Sequence, residues 1–254
     1  MVHKQKNNMK IVVFTGAGVS KESGIDTFRD SGGTWENEDV EAVATPAGWK
    51  KDRERVLDFY NVRREQLKSV EPNDAHRLIA ELEKDHEVTC ITQNVDNLHE
   101  RAGSTNVLHL HGELTKVRGS FYNNNSSLSD TIYDIGYKPI NIGDKCETTG
   151  SQLRPHVVWF GEMPNNVEES YKAIGECDIL LIIGTTLFIE YTTHLLGFCR
   201  VLSNPNGGEC GVFFIDPEPT TILDYRVKDI NYIKEPATVG MKKFIENLGE
   251  LVGQ

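Results

Sequence analysis

The stretch "KIVVFTGAGVS", residues 10–20, determines how the rest of this chain is interpreted. An apolar run without polar alternation predicts a strand of a parallel sheet covered on both faces. Gly16 and Gly18 follow at once, and glycines let backbone N–H groups approach a phosphate near a helix N-terminus. The alternative is a tight strand-to-helix turn that binds no ligand. We therefore treat this loop as a candidate ligand site that needs support from elsewhere in the chain.

The glycine loop departs from two common nucleotide motifs. Lys21 holds the position of the third glycine in G-x-G-x-x-G, and no Walker A lysine motif is present. A dehydrogenase needs a second buried strand with an acidic end about 20 residues further on. Residues 34–49, "TWENEDVEAVATPAGW", form no such strand. The loop therefore indicates a dinucleotide without hydride transfer.

Further short apolar runs predict the other strands of the sheet. They are "EVTCITQN" (87–94), "HVVWFGE" (156–162), "DILLIIGTT" (178–186), "GVFFID" (211–216) and the more alternating "NVLHLHG" (106–112). Helical patterns lie at 72–85 and 240–254. Alternation of strands and helices predicts an α/β fold with a Rossmann-like parallel sheet, and ligands bind beyond the carboxyl ends of its strands.

Two segments interrupt this alternation and predict a smaller inserted module. Loops of their length are uncommon inside compact domains. We expect one domain over 1–254. Its large Rossmann-like part comprises about 1–30, 70–114 and 154–254, and the small module is built from insertions at about 31–69 and 115–153.

Composition and charge exclude several classes of protein. The net charge of -11 over 254 residues argues against a nucleic-acid partner. No apolar run approaches the ~18 residues of a membrane span, and the start has no secretory h-region. We expect a cytoplasmic protein without a membrane partner. Five cysteines with no C-x-x-C pair support neither a disulfide framework nor a four-cysteine zinc site.

Polar residues gather where the predicted strands end. "TGAGVS" follows the first strand, "TQNVD" the second, "GTT" follows "LLII", and "DPEP" follows "VFFI". Because the carboxyl ends of parallel strands share one edge of a sheet, Gln93, Asn94 and Asp96 are expected at the ligand crevice. Asn94 and Asp96 could instead cap the helix that begins at "NLHERAG".

These motifs together resemble the sirtuins, a family of NAD-dependent protein deacylases. The matching stretches run in family order over nearly the whole chain: "GAGVSKESGIDTFRD", "TQNVDNLHERAG", "HLHGEL", "RPHVVWFGEMP" and "IIGTT". "EAVATPAGW" and "FYNVRREQL" resemble the class that includes bacterial and mitochondrial desuccinylases. The resemblance implies that NAD and an acylated lysine of a protein meet in a cleft between a Rossmann-type domain and a small domain.

The family reaction implies roles for individual positions. The acyl oxygen attacks the nicotinamide ribose, and a histidine base then activates a ribose hydroxyl. The products are free lysine, nicotinamide and O-acyl-ADP-ribose. The resemblance assigns catalysis to His111, Gln93 and Asn94. It assigns NAD binding to Gly16, Ala17, Gly18, Ser20, Thr27, Phe28, Arg29, Gln93, Asn94, Asp96, Gly184, Thr185, Thr186, Asp216 and Ala237. Substrate contacts fall to Tyr60, Arg63, Val158, Phe160 and Gly161, the last three by pairing with the peptide backbone.

Histidine chemistry suits the base, because its pKa lies near working pH. A structural core histidine is the alternative for His111, and we interpret His99 as structural. His109 would share a strand face with His111. A metal site on this pair lacks a third ligand, so no metal is expected there.

Several positions depart from the family pattern. Asp26 stands where proline is usual, Asp216 where asparagine is usual, and "FIEYTT" (188–193) differs from the usual proline-containing stretch. Most sirtuins carry two cysteine pairs in the small domain, but this chain has only Cys146 there and Gly119 at the first ligand position. We therefore expect no zinc, and either an apolar core orders the module or the module is a mobile flap. The candidate members of that core are Phe121, Tyr122, Ile132, Tyr133, Ile135, Tyr137, Ile140 and Ile142.

Tyr60 and Arg63 are spaced to lie on one helix face. Alone, that spacing also fits a core aromatic beside a surface charge. The desuccinylase class uses this pair to hold an acyl carboxylate, which implies desuccinylase or demalonylase activity besides deacetylation. Two alternatives remain: an ADP-ribosyltransferase or NAD hydrolase, and a non-catalytic NAD-binding module. The oligomeric state is left open.

Overall fold

The computed structural model describes residues 8–25, 39–120, 131–200, 210–221 and 229–253. Its strands are β1 (Lys10–Thr15), β2 (Glu87–Thr92), β3 (Val107–His109), β4 (Gly112–Gly119), β5 (Ile132–Asp134), β6 (Leu153–Val157), β7 (Ile179–Ile183), β8 (Gly211–Ile215) and β9 (Ile230–Ile233). Its α-helices are α1 (Gly18–Lys21), α2 (Val40–Val43), α3 (Pro46–Lys51), α4 (Arg53–Leu67), α5 (Asp74–Leu82), α6 (Leu98–Ala102), α7 (Val167–Glu176), α8 (Glu190–Gly197) and α9 (Ala237–Gly253).

Six strands form one parallel sheet in the order β3-β2-β1-β7-β8-β9. The chain builds outward from β1 on one side and from β7 on the other, so the strand order reverses between these two. In open α/β sheets the ligand crevice lies at such a reversal, beyond the carboxyl ends. The predicted α/β, Rossmann-like sheet is therefore confirmed.

Helices cover both faces of this sheet. Ile11 and Val13 of β1 pack in one buried cluster with side chains of α5 and α9. Val12 and Phe14 of the same strand pack in a second cluster with side chains of α7 and α8. Each large apolar side chain buried in this way contributes roughly 1.5–3 kcal/mol. Burial on both faces explains why β1 has no polar alternation.

The run "HVVWFGE" does not belong to the parallel sheet, contrary to the prediction. The strand there is β6, it ends at Val157, and it pairs antiparallel with β4 in a separate sheet of order β5-β4-β6. Val157 and Trp159 are buried in the core of the small module. An apolar run that is buried on both faces has the same pattern in a parallel and in an antiparallel sheet. The pattern alone therefore could not predict which sheet this strand joins. The polar edge strand β9 was also missed.

Both inserted segments contribute to one common core. Trp49 and Tyr60 come from the first segment, and Val117 and Ile140 from the second. Tyr133, Ile135 and Tyr137 pack against this core as expected. Ile132 and Ile142 do not, because they are 46% and 59% exposed. On the short strand β5 successive side chains point to opposite faces, so Tyr133 and Ile132 cannot both be inside. Phe121 and Tyr122 lie outside the described residues. The boundaries of the two parts stay a prediction.

Candidate active site

The loops after β1 and β7 meet backbone to backbone at the strand-order reversal. The Gly16 N–H donates to the Ile183 carbonyl at 3.0 Å, and the Gly18 N–H donates to the Gly184 carbonyl at 2.8 Å. A Cβ on Gly16 would stand 2.7 Å from the Gly184 oxygen, and Gly184 itself has a φ of +60°. Packing therefore requires glycine at these positions, whether or not a ligand binds to the loop.

Ser20 lies in a buried hydrogen-bond network beneath the glycine loop. Its side chain is 1% exposed, and its hydroxyl donates to Asp96 Oδ2 at 3.0 Å. The Asn94 amide donates to the Ser20 hydroxyl at 3.1 Å and to the Gly16 carbonyl at 3.2 Å. The network holds the glycine loop on the loop after β2. A phosphate contact by the Ser20 side chain stays a prediction.

Two neutral, buried histidines lie next to this network. His76 Nδ1 accepts from the Asn73 N–H in the capping box of α5, so its proton is on Nε2, 3.4 Å from the Ser20 hydroxyl. His99 Nε2 bonds to the Thr15 hydroxyl at 3.0 Å. Burial lowers the pKa of His76 to about 4 and that of His99 to about 3. His99 is buried, in agreement with its structural interpretation.

Asp96 performs the capping role that the sequence left open. Its Oδ1 accepts from the Leu98 N–H at 3.1 Å at the start of α6. Asn94 instead uses its side chain on the glycine loop. Burial raises the pKa of Asp96 above its ordinary value. Both residues follow the carboxyl end of β2, but only Asp96, which precedes the N-cap residue Asn97, bonds to the start of α6.

Gln93 bridges the two halves of the crevice. Its amide donates to the Thr185 hydroxyl at 2.9 Å, joining the loop after β2 to the loop after β7. Thr185 is buried, whereas Thr186 is exposed. At the end of β8, Asp216 is 8% exposed and accepts from the Glu218 N–H. The loops after β1, β2 and β7 therefore contact one another, and Asp216 follows the neighbouring strand β8.

Four further residues were predicted to bind the cofactor, and the structure describes one of them. Ala237 begins α9 and is buried in the sheet core, so its Cβ contributes packing. Thr27, Phe28 and Arg29 lie outside the described residues. Their assignment rests on the resemblance alone.

His111 is held between two partners. Its Nδ1 donates to the Gln93 carbonyl at 2.7 Å, because a carbonyl can only accept, and this bond places the proton on Nδ1. The Nε2 atom then carries the lone pair and accepts from the Tyr191 hydroxyl at 2.7 Å. Burial lowers the pKa of His111 below its ordinary value. A neutral imidazole with a defined lone pair is the arrangement that a general base requires.

Sequence reasoning missed Tyr191. It is the second residue of α8 and lies in "FIEYTT", the stretch that differs from the family pattern. That departure was the available signal. Nothing in the sequence placed the tyrosine on His111, which is 80 residues away in the chain.

His109 does not share a face with His111, contrary to the expectation. Its ring nitrogens face the Asn94 carbonyl at 3.0 Å and Glu100 Oε1 at 2.7 Å, while His111 follows the strand end in a turn. Two acceptors favour the protonated ring. Burial alone would lower the pKa of His109, but the bond to Glu100 raises it above its ordinary value. Glu100, His109 and Glu113 have candidate ligand atoms within 4.8 Å of one another, but His111 is not part of this group, so it does not complete a metal site on the two histidines.

The predicted peptide-binding segment already uses its backbone donors. The Val158 N–H donates to the His111 carbonyl at 2.9 Å, and the Phe160 N–H donates to the Ala44 carbonyl at 3.0 Å. The Phe160 side chain is 53% exposed, and Gly161 has a φ of +90°. In this conformation a substrate strand would have to pair with groups other than these two amides. The segment nevertheless connects directly to His111.

The structure separates the polar ends of Tyr60 and Arg63. Tyr60 is fully buried, and its hydroxyl accepts from Trp159 Nε1 at 3.1 Å. Arg63 is 8% exposed, donates to the Phe59 carbonyl, and stacks on the Phe59 ring. Arg63 also borders a cavity of about 550 Å³ that Tyr60 does not line. The other lining residues of this cavity are Asp52, Glu54, Arg55, Asp58, Phe59 and Val62.

Gly119, where the resemblance places the first zinc ligand, is surrounded by small side chains. A Cβ on Gly119 would stand 2.7 Å from Ser151 Oγ and 3.1 Å from Cys146 Cβ. The Cys146 thiol lies 3.2 Å from the Thr148 hydroxyl, and the Thr149 and Ser151 hydroxyls bond at 2.7 Å. Residues 112–153 contain one cysteine and no histidine. These donors do not fit a tetrahedral structural zinc site.

Fold and site together define an α/β protein with a crevice at the strand-order reversal and a half-buried histidine beside it. The Sir2 family model matches residues 16–190, so the chain belongs to the Sir2 family. None of the helices in the described parts of the chain is both long and apolar enough to cross a membrane.

Two relatives cover nearly the whole chain. It is 46% identical over 233 residues to a Bacteroides thetaiotaomicron protein named NAD-dependent protein deacylase, spanning 92% of this chain and 95% of that protein. It is 42% identical over 245 residues to a Helicobacter pylori (strain J99) protein of the same name, spanning 96% and 97%.

Solved structures of the family superpose on the fold. A Sir2 homolog in complex with NAD matches with a TM-score of 0.80 at 34% identity, covering 97% of this chain and 92% of that chain. A mutant Sir2 homologue in complex with ADP-ribose matches with a TM-score of 0.81 at 32% identity, covering 98% and 95%.

Proposed function

We propose that the chain is an NAD-dependent deacylase that acts on acylated lysine side chains of proteins and yields free lysine, nicotinamide and O-acyl-ADP-ribose. The name shared by its relatives supports this class of reaction. The observation that carries the proposal is the state of His111, a neutral base with its lone pair on Nε2. None of the five cysteines forms a disulfide, which suits a reducing compartment, and we place the enzyme in the cytoplasm.

The crevice residues fit NAD as the cofactor. When bound, NAD supplies an ADP-ribosyl group, with nicotinamide as the leaving group. The backbone of the glycine loop would face the diphosphate, Thr185 and Gln93 the ribose hydroxyls, and Asn94 and Asp96 the nicotinamide end. Asp216 would accept from hydroxyls at the adenosine end, because an ionised carboxylate only accepts. Thr27, Phe28 and Arg29 would complete the nicotinamide side.

His111 would remove a proton from a ribose hydroxyl at Nε2. The Gln93 carbonyl stabilises the imidazolium that results, because it already accepts from Nδ1–H. The lowered pKa keeps the base unprotonated at neutral pH. Val158 ties the peptide-binding segment to the His111 backbone, so the substrate and the base are positioned together.

The acyl preference is the finer part of the proposal. Arg63 is 8% exposed and stacks on the Phe59 ring, which contacts the Tyr60 ring edge to face. Tyr60 in turn bonds to Trp159 of the peptide-binding segment. A cation in this position would bind the terminal carboxylate of a succinyl or malonyl chain, and hydrogen bonds to charged groups contribute roughly 1.5–3 kcal/mol each. We therefore expect desuccinylation or demalonylation besides deacetylation.

A product assay tests the reaction. The protein is incubated with acetyl-, succinyl- and unmodified lysine peptides, with and without NAD, and products are identified by mass spectrometry. We expect O-acyl-ADP-ribose and deacylated peptide only with NAD and an acylated peptide. ADP-ribosylated peptide, or free ADP-ribose released equally with unmodified peptide, would instead identify a transferase or an NAD hydrolase.

Replacement of Arg63 by methionine tests the acyl preference. We expect Arg63→Met to lower desuccinylation about 10- to 150-fold while deacetylation changes little, because only the charged chain loses a partner. Arg55→Met is the control, since Arg55 lines the same cavity but not the core. Equal loss of both activities in Arg63→Met would show a structural role for Arg63 and remove the specificity assignment.

A further inference from the structure

Tyr191 reaches the candidate base from the opposite half of the sheet. It lies on the first turn of α8, and its hydroxyl is 2.7 Å from His111 Nε2. The two rings stand edge to face, with centroids 6.2 Å apart and planes at 83°. The contact therefore engages the one nitrogen through which His111 would act.

This bond is not needed to select the tautomer of His111. The Gln93 carbonyl accepts from Nδ1 and by itself leaves the lone pair on Nε2. An imidazole nitrogen has a single in-plane lone pair, so Nε2 accepts one hydrogen bond at a time. The Tyr191 contact therefore has one effect, which is that the phenol hydroxyl occupies the lone pair of Nε2.

We propose that Tyr191 caps the catalytic base and that a ribose hydroxyl of the cofactor must replace its hydroxyl at His111 Nε2 before the base can act. This inference rests on the proposed role of His111. It makes Tyr191 a positioning residue whose bond is exchanged during cofactor binding. The exchange moves hydrogen bonds only, and the phenol proton stays on Tyr191.

The surroundings of Tyr191 suit such an exchange. The phenol is half-buried, and burial raises its pKa above the ordinary value, so it remains a donor at working pH. The preceding segment is exposed at Phe188, and Leu187 has a φ of +54°, a strained value for a residue with a side chain. The following residues Thr192 and Thr193 are buried and hold α8 in place.

A thermodynamic cycle on NAD affinity tests the cap. NAD binding is measured by calorimetry for the full-length wild type, Tyr191→Phe, His111→Ala and the double variant. Loss of one competing hydrogen bond should tighten NAD binding about two- to tenfold in Tyr191→Phe. The same change should have no effect in the His111→Ala background, because the bond no longer exists there. Tyr171→Phe is the control, since this phenol of α7 packs on Phe198 away from His111.

Steady-state rates give a second measurement. In Tyr191→Phe the KM for NAD should fall while kcat stays within about twofold, because the cap acts before the chemical step. A loss of kcat of tenfold or more with unchanged NAD affinity would identify a proton relay and overturn the cap. Unchanged affinity, or a gain that persists without His111, would overturn it as well.

The calorimetric cycle separates this inference from the proposed reaction. It uses NAD alone and no acylated peptide. If the wild type deacylates no peptide, the proposed function fails, whereas the coupling between Tyr191 and His111 in NAD binding is still measured. If deacylation occurs and the coupling is zero, the cap alone fails.

Discussion

The parallel sheet and the small module are stabilised in different ways. The sheet has continuous apolar strands at its centre, with buried clusters on both faces. The module has a three-stranded antiparallel sheet and a core that joins two distant segments. Buried polar bonds tie those segments together: Arg64 donates to the Leu114 carbonyl at 2.7 Å, and the Asn61 side chain bonds to both the N–H and the carbonyl of Ile140.

This difference suggests what would stabilise the module in the absence of the zinc that we predict it lacks. A structural zinc contributes roughly 10–16 kcal/mol in small domains. The module lacks the thiols for such a site and instead has an ion pair, in which Arg154 contacts Glu162 at 2.7 and 3.0 Å. The side chains are 3% and 6% exposed. Glu162 also accepts from the Trp159 N–H at 2.9 Å, so the pair anchors the segment that we predict to bind the peptide.

Removal of this ion pair should give the largest loss of stability. We expect Glu162→Gln to lower the free energy of unfolding by about 3–5 kcal/mol, because it leaves the buried Arg154 charge uncompensated. Burial alone would raise the pKa of Glu162, but its bonds to Arg154 hold it below the ordinary value, so the pair is ionised at neutral pH. Urea unfolding measures the effect.

An exposed pair on the sheet domain supplies the matched control. Lys84 and Glu81 lie 3.7 Å apart with side chains 72% and 59% exposed. Glu81→Gln should change stability by less than about 1 kcal/mol. Similar effects of the two substitutions would show that buried polar bonds do not distinguish the module from the sheet.

The sheet domain should respond to pH through its buried histidines. His76 and His99 are neutral in the fold, with pKa values of about 4 and 3, against about 6.5 in the unfolded chain. The unfolded state therefore takes up protons below pH 6.5. The stability present above pH 6.5 is lost as the pH falls toward 4, by about 1.4 kcal/mol per pH unit for each histidine.

Urea titrations between pH 6.5 and 5 measure this slope. His99→Asn should reduce the slope by up to about one proton, whatever its effect on absolute stability. The exposed His194 of α8 provides the control substitution. An unchanged slope in His99→Asn would mean that His99 is protonated in the folded protein, contrary to its burial.

Metal removal should have the smallest effect. We expect elemental analysis to find well under one zinc per chain, and a chelator should leave the Tm unchanged, because Gly119, Cys146, Thr149 and Ser151 do not form a zinc site. One zinc per chain together with a chelator-induced drop in Tm would show that zinc stabilises the module, contrary to the prediction.

The sequence predicted the sheet domain better than the module, for a physical reason. A strand such as β1 is predicted by an unbroken local run of apolar residues. The parallel topology then predicts that the polar residues after each strand lie at the same edge of the sheet. The place of "HVVWFGE" could not be predicted, because burial on both faces hides the direction of pairing. The choice of Ile140 over Ile142 depends on contacts with Asn61, 79 residues away.

The same limit applies to the site. Gln93, Asn94 and His111 were predicted from motifs, and the structure brings them together. The Tyr191 contact depends on where α8 packs, and the buried position of the Tyr60 phenol depends on Trp159. Neither relationship has a local signature, since each joins residues at least 80 positions apart.

The central claim is that His111 is the base at the carboxyl edge of the parallel sheet, and one substitution tests it most directly. Turnover of an acylated lysine peptide with saturating NAD is compared between the wild type and His111→Ala, with NAD binding measured in parallel. The account predicts that His111→Ala binds NAD nearly as tightly and turns over about 10² to 10⁴ times more slowly. Deacylation at the wild-type rate in that variant would contradict it.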